Sequence, residues 1–262
     1  MRVVFIGASK FGLRCLKFLD NEVSSKLVGA VTVLQKFSIS YQPQGVTNYL
    51  HADVKKYCED KAIPCLEIVN GMKDTSALNE VRKMNPELFI ICGWYHLIPT
   101  SWRVLAPMYG MHASLLPDYS GGAPLVWAMI NGEPKTGITL FQLSDGVDNG
   151  PIVGQAETKI RDDDNIATLY DRIEGLGLNM LAKYLPKFIY GTVKHHAQDE
   201  EFRLVSPQRS PEDGLIDWKC YAKAIWNFTR AQTNPYPEAF SLLTGNALRI
   251  WSSRVHESTN PI

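Results

Sequence analysis

The chain has no charge excess: 27 lysines and arginines are offset by 27 aspartates and glutamates among 262 residues. A domain that grips a nucleic-acid backbone normally carries a basic surplus, so the balance argues against that class. C-x-x-C spacing is also missing. The five cysteines, Cys15, Cys58, Cys65, Cys92 and Cys220, are scattered and odd in number, which points to reduced, buried and inert thiols. No apolar run approaches the roughly 20 residues a membrane helix needs. The opening Met1-Arg2-Val3-Val4-Phe5-Ile6-Gly7 has too short an apolar run for a signal peptide and reads as a strand, so a cytoplasmic location is expected. G-x-S-x-G, Walker and H-E-x-x-H motifs are all absent, and no metal is expected. With 45% hydrophobic and 21% charged residues, the composition excludes a disordered or fibrous chain.

What is present reads as alternating strands and helices. Residues 3–6 and 27–34 are short apolar runs around a glycine-bounded turn and a segment of helical spacing, which makes a βαβ opening. The turn Gly7-Ala8-Ser9-Lys10-Phe11-Gly12 is not G-x-G-x-x-G, which disfavours a dinucleotide, although its amides are candidates to receive a phosphate. Residues 35–50 read as a loop over the sheet edge. Helices are expected over 54–61 and 76–84, a short strand over 64–68, and a central buried strand over 87–93 that ends at Gly93-Trp94, where open α/β sheets bind ligands. Strands follow over 137–143 and 151–156. An aspartate of the run Asp162-Asp163-Asp164 should cap a long helix ending near Leu185, before Pro186. Beyond a linker starting near residue 207, a helix over 220–230 and a hairpin around Thr244-Gly245-Asn246 predict a small C-terminal α+β subdomain, 207–262, beside a main domain, 1–206.

The stretch from Tyr109 to Gly150 is the densest in turn formers and polar groups. His112 is the best acid–base candidate of six histidines, since imidazole titrates near neutrality and turn residues bracket it. The alternative is a core histidine that holds the loop by hydrogen bonds. Asp148, beside Asn149-Gly150, is either an imidazole partner or an Asx-turn residue. His96 reads as a loop hydrogen-bonder, and His195-His196 as solvated surface.

His112-Ala113-Ser114-Leu115-Leu116-Pro117, Gly121-Gly122-Ala123-Pro124, Gly137-Ile138-Thr139 and Asp145-Gly146-Val147-Asp148-Asn149-Gly150 together resemble the folate-dependent formyltransferases. The likeness extends to Gly93-Trp94 with Ile98-Pro99. It implies a Rossmann-like, mostly parallel α/β domain that uses N10-formyltetrahydrofolate, with His112 and Asp148 at the positions of the family's His and Asp. The family's third side chain, an Asn two residues before the His, falls on Gly110. The resemblance implies that Gly93, Trp94, Leu143, Ser144, Asp145, Gly146 and Val147 hold the folate, and that Ser114, Leu115, Tyr119, Gly122 and Pro124 lie towards the acceptor. The short, neutral C-terminal part resembles the sugar-nucleotide N-formyltransferases most, so the expected partner is a nucleotide-linked amino-sugar; tRNA is disfavoured and a homodimer is allowed. The missing Asn keeps two alternatives open, a formyltetrahydrofolate hydrolase and a binding protein with impaired catalysis, and a methionyl-tRNA formyltransferase-like enzyme is a further one.

Overall fold

Val3, Val4, Phe5 and Ile6 are fully buried, as a β-branched and aromatic run must be in the middle of a sheet covered on both faces. The computed structural model describes residues 1–23, 26–39 and 42–256, with only the backbone at 39 and 42–44. In chain order the first half runs β1 (Val3–Ile6), α1 (Lys10–Val23), β2 (Leu27–Val33), β3 (Lys36–Ile39), β4 (Gln42–Thr47), α2 (Val54–Asp60), β5 (Cys65–Ile68), α3 (Thr75–Lys83) and β6 (Leu88–Ile91). It continues with α4 (Thr100–Arg103), β7 (Met108–His112), β8 (Ser120–Gly121), α5 (Pro124–Ile130), β9 (Lys135–Gln142), β10 (Ile152–Lys159) and α6 (Ile166–Ile189). Last come β11 (Val205–Ser206), α7 (Ala222–Ala231), β12 (Ala239–Leu243) and β13 (Asn246–Ile250).

Seven strands form one sheet in the order β10-β9-β7-β6-β1-β2-β5. Strands β5, β2, β1, β6 and β7 are parallel, while β9 and β10 continue the sheet antiparallel. This is the expected α/β architecture. One face packs Phe5, Ile90, Tyr109 and Leu140 against residues of α1, α5 and α6. The other packs Ile6, Ile91 and Met108 with residues of α3 and with Trp102. Side chains alternate along a strand, so Tyr109 faces the first core, its ring tilted against Phe188 at 4.2 Å between centroids, while Gly110 and His112 share the second face with Met108. That alternation puts the site on one side of β7.

Several local expectations are corrected. Residues 35–50, expected as loop from their mostly polar sequence, hold the paired strands β3 and β4, with residues 40–41 outside the described residues. Asn165, not an aspartate, caps α6, accepting from the Ala167 and Thr168 amides. Asp164 is instead buried against Arg172. Burial alone would raise its carboxyl, but hydrogen bonds from Arg172 and the Arg161 amide outweigh that and hold it below the usual carboxylate range. Helix α6 also runs through Pro186 to Ile189, because Leu185 and Phe188 still have core to bury. Of the five thiols, Cys15, Cys58 and Cys92 are buried, Cys65 is half-buried and Cys220 is exposed. No helix among the described residues is long and apolar enough to cross a membrane.

Candidate active site

His112 is the last residue of β7, where the strand leaves the sheet, so its backbone is fixed by pairing to Thr139 of β9 while its ring projects beyond the core. Its Nε2 lies 2.7 Å from the Tyr119 carbonyl oxygen. A carbonyl only accepts, so Nε2 carries a proton in this arrangement. The other nitrogen, Nδ1, stands 3.4 Å from Asp148 Oδ2. Both ring nitrogens thus face oxygen acceptors, and the ring is held at two points. Asp148 sits on the loop between β9 and β10 with φ +52°, a left-handed conformation that a short polar side chain tolerates better than most. Its carboxylate is aimed by the Gly121 amide, which donates to Oδ2 over 2.9 Å.

Three segments therefore converge: the end of β7, the turn 119–122 and the loop 143–150. Gly110 lies one pleat behind His112 on the same face. A Cβ built there would come 2.8 Å from Leu143 Cδ1 and 3.4 Å from the Phe141 ring, so the space a side chain would use at this position is filled by Leu143. Leu143 and Trp94 both pack against the core cluster of this face. Gly93 follows β6 at φ +63°, and Trp94 lies 5.4 Å from the His96 ring, which in turn packs 4.9 Å from Phe37.

Trp94 Nε1 and His96 Nε2 are both buried with no hydrogen-bond partner. Buried polar atoms are nearly always paired, and orphans beside a glycine-lined strand end suit a flat heteroaromatic ligand with donors and acceptors on its edge. Burial also lowers the His96 imidazole below its ordinary value. On the other side, Ser144 donates to Asn149 over 2.6 Å, Asp145 is tied to Arg103 and held below the usual carboxylate range by it, and Gly146 and Val147 are exposed. Residues 145–147 are exposed, with the Val147 carbonyl taken by Arg203.

The residues expected towards the acceptor are placed differently from one another. Ser114 is buried and donates to the Asp118 carbonyl, and Tyr119 is buried with its hydroxyl on Glu133; what Tyr119 offers the site is its carbonyl. Gly122 is buried against the main chain of Gln208, Leu115 packs on Gly137, and Pro124 opens α5. His195 is exposed, as expected, and its Nε2 lies 3.1 Å from the Tyr109 hydroxyl on the opposite face of β7. Two groups that sequence reasoning missed are main-chain atoms, the Tyr119 carbonyl and the Gly121 amide, which no residue-type pattern announces. The positive φ of Tyr119 and Gly121, +55° and +99°, is the local trace they leave. Among the described residues no group of three or more His, Cys, Asp or Glu could hold a metal ion.

The chain is thus an α/β protein with an open, mostly parallel sheet and a His–Asp pair at a strand exit. The formyl transferase family model matches residues 1–185 and the model of the formyl transferase C-terminal domain matches residues 209–261. The chain belongs to the formyl transferase family, whose enzymes move a formyl group carried on folate. It is 34% identical over 255 residues to the methionyl-tRNA formyltransferase of Citrifermentans bemidjiense, covering 96% of this chain and 77% of that one. Among solved structures it resembles a sugar N-formyltransferase from Shewanella sp FDAARGOS_354 with a TM-score of 0.75 at 16% identity, over 98% of this chain and 99% of that one. It also resembles WlaRD, a sugar 3N-formyl transferase solved with dTDP and 5-N-formyl-THF, with a TM-score of 0.68 at 18% identity, over 88% and 78% of the two chains.

Proposed function

We propose that the chain transfers a formyl group from N10-formyltetrahydrofolate to the amine of a nucleotide-linked amino-sugar, with His112 and Asp148 as the reacting pair. When bound, the folate supplies an electrophilic formyl carbon. The amine attacks that carbon and the carbon–N10 bond breaks, so the protein must take a proton from the amine, let one reach the departing N10 and favour charge on the formyl oxygen in between. Among the described residues His112 is the imidazole on this face of β7 with a carboxylate at one nitrogen, so it is the group that accepts the amine proton, at Nδ1 because Nε2 already carries one, and Asp148 beside Nδ1 offsets the charge it gains. Gly110 offers no side-chain donor, Leu143 closes the space and His112 Nε2–H is already given to the Tyr119 carbonyl, so donation to the formyl oxygen falls to a main-chain amide.

The observation that carries the choice of acceptor is charge. Binding tRNA through its phosphates needs several uncompensated lysines and arginines, and here 27 basic residues meet 27 acidic ones. End-to-end agreement of fold with the Shewanella sugar N-formyltransferase supports the same reading. The identity of 34% to a methionyl-tRNA formyltransferase favours a second one, transfer to methionyl-tRNA. Mass spectrometry separates them: with N10-formyltetrahydrofolate present, a panel of dTDP- and UDP-linked amino-sugars gains one formyl group and methionyl-tRNA does not. Formylation of methionyl-tRNA alone overturns the sugar reading, and formate release with no acceptor modified points to hydrolysis.

A further inference from the structure

The Gly121 amide ties the turn 119–122 to Asp148, and a third segment far along the sequence is bonded to both loops. Gln198 Nε2 donates to the Asp148 and Gly150 carbonyls at 2.8 and 2.7 Å. Arg203 Nε donates to Ser120 Oγ at 3.0 Å, and its Nη2 donates to the Val147 carbonyl, the peptide that enters Asp148. Strand β11 then pairs in parallel with β8, Val205 opposite Ser120 and Ser206 opposite Gly121. The Ser120 amide donates to the Leu204 carbonyl at 2.9 Å, the Gly122 amide to the Ser206 carbonyl at 2.8 Å, and Ser206 Oγ to the Ser120 carbonyl at 3.1 Å.

We propose that Arg203 is a positioning residue for formyl transfer, a clamp that fixes the Asp148 loop against the Gly121 turn and so sets the distance between the carboxylate and His112. The inference rests on the reading of His112 and Asp148 as the reacting pair. The guanidinium suits the task because its planar fork presents Nε and Nη2 to two acceptors at once, which one ammonium cannot do in the same geometry. Its leverage comes from the distance it controls. At 3.4 Å, His112 Nδ1 and Asp148 Oδ2 are beyond an ordinary hydrogen bond and must close by a few tenths of an ångström to engage fully. A displacement of about 1 Å at such a pair costs on the order of 10²-fold in rate. The clamp contributes less to stability than to position, since the Arg203 side chain is 21% exposed and water reaches its partners when it is removed.

The test labels the six histidines with ¹⁵N and follows their ring nitrogens by NMR in the whole protein and in the Arg203→Met, Arg203→Lys, Asp148→Asn and Arg203→Met/Asp148→Asn variants. Arg203→Met should move the His112 signals in the direction that Asp148→Asn moves them, leave the other five histidines in place, and add nothing in the double variant, the non-additivity of residues acting through one another. Arg203→Lys should restore part of the shift. With N10-formyltetrahydrofolate and the acceptor identified by mass gain, kcat of Arg203→Met should fall on the order of 10²-fold while KM for the donor stays within about threefold. If Asp148→Asn moves the His112 signals and Arg203→Met does not, the clamp is wrong and the pair stands. If Asp148→Asn leaves His112 unmoved, the pair itself fails and the clamp with it. Loss of dispersion across all six histidines in Arg203→Met, with Arg203→Lys folded and identical to the parent, would also overturn it.

Discussion

Two glycine-rich turns in this chain look alike on paper and do different work. The first, Gly7 to Gly12, follows β1; the second, Tyr119 to Ala123, precedes α5. In the first, the amides of Gly7, Ala8, Lys10 and Gly12 are all taken, by Val31, Gly93, Leu50 and Ser9 respectively. Its glycines are there for close approach: a Cβ at Gly7 would lie 2.3 Å from the Cys92 carbonyl oxygen, and one at Gly12 would lie 2.6 Å from the same atom. That leaves little for the phosphate that the sequence allowed there. In the second turn the main chain points at the two side chains proposed to react, the Gly121 amide at Asp148 and the Tyr119 carbonyl at His112. Which amides are already paired, not how many glycines are present, separates a packing turn from a site.

Breaking the second turn's target should have the largest effect. Asp148→Ala removes the carboxylate facing His112 and is expected to lower formyl transfer by about 10³-fold, within the range of a positioned acid–base group. The melting temperature should stay near the parent's, because Asp148 is only half-buried. The first turn should show the opposite pattern. Gly7→Ala drives a methyl into the Cys92 carbonyl and the Phe5 ring and should cost about 3 kcal/mol by urea unfolding, with the specific activity of the folded fraction little changed. A loss of activity without a loss of stability in Gly7→Ala would mean that the first turn belongs to the site after all.

The smallest expected effect sharpens the role of Gly110. Gly110→Asn alone brings a side chain against Leu143, whereas Gly110→Asn with Leu143→Ala makes room for it. The double variant is expected to transfer about tenfold faster than Gly110→Asn alone, as a restored donor to the formyl oxygen would give. Equal rates for the two would show that Leu143 is not what closes the space.

Much of the fold was legible because its signals are local. The buried run of β1, the apolar β6 ending at Gly93-Trp94, and the Asn149-Gly150 turn before β10 all sit where their residue types predict. The hairpin β3–β4 was not, since a mostly polar sequence hides a two-stranded ribbon that meets the core through Phe37. His112 and Asp148 were legible through their motifs, and the structure places them 3.4 Å apart. The hydrogen bonds that aim them were not, because they come from main-chain atoms and from Gln198 and Arg203, residues in a charged stretch with no periodicity, 48 to 56 positions from their partners in the 147–150 loop. Long-range pairing of that kind leaves no trace in spacing. Ser114 and Tyr119 show the converse: they stand in the motif, but their side chains serve the loop's own hydrogen bonds.

The most direct test of the account is the rate at which the formyl group leaves N10-formyltetrahydrofolate for an amine in His112→Ala, compared with the parent protein at equal folded concentration. The account predicts a fall of about 10³-fold or more, with the melting temperature and folate binding close to the parent's. A folded His112→Ala protein that transfers at the parent's rate would contradict it.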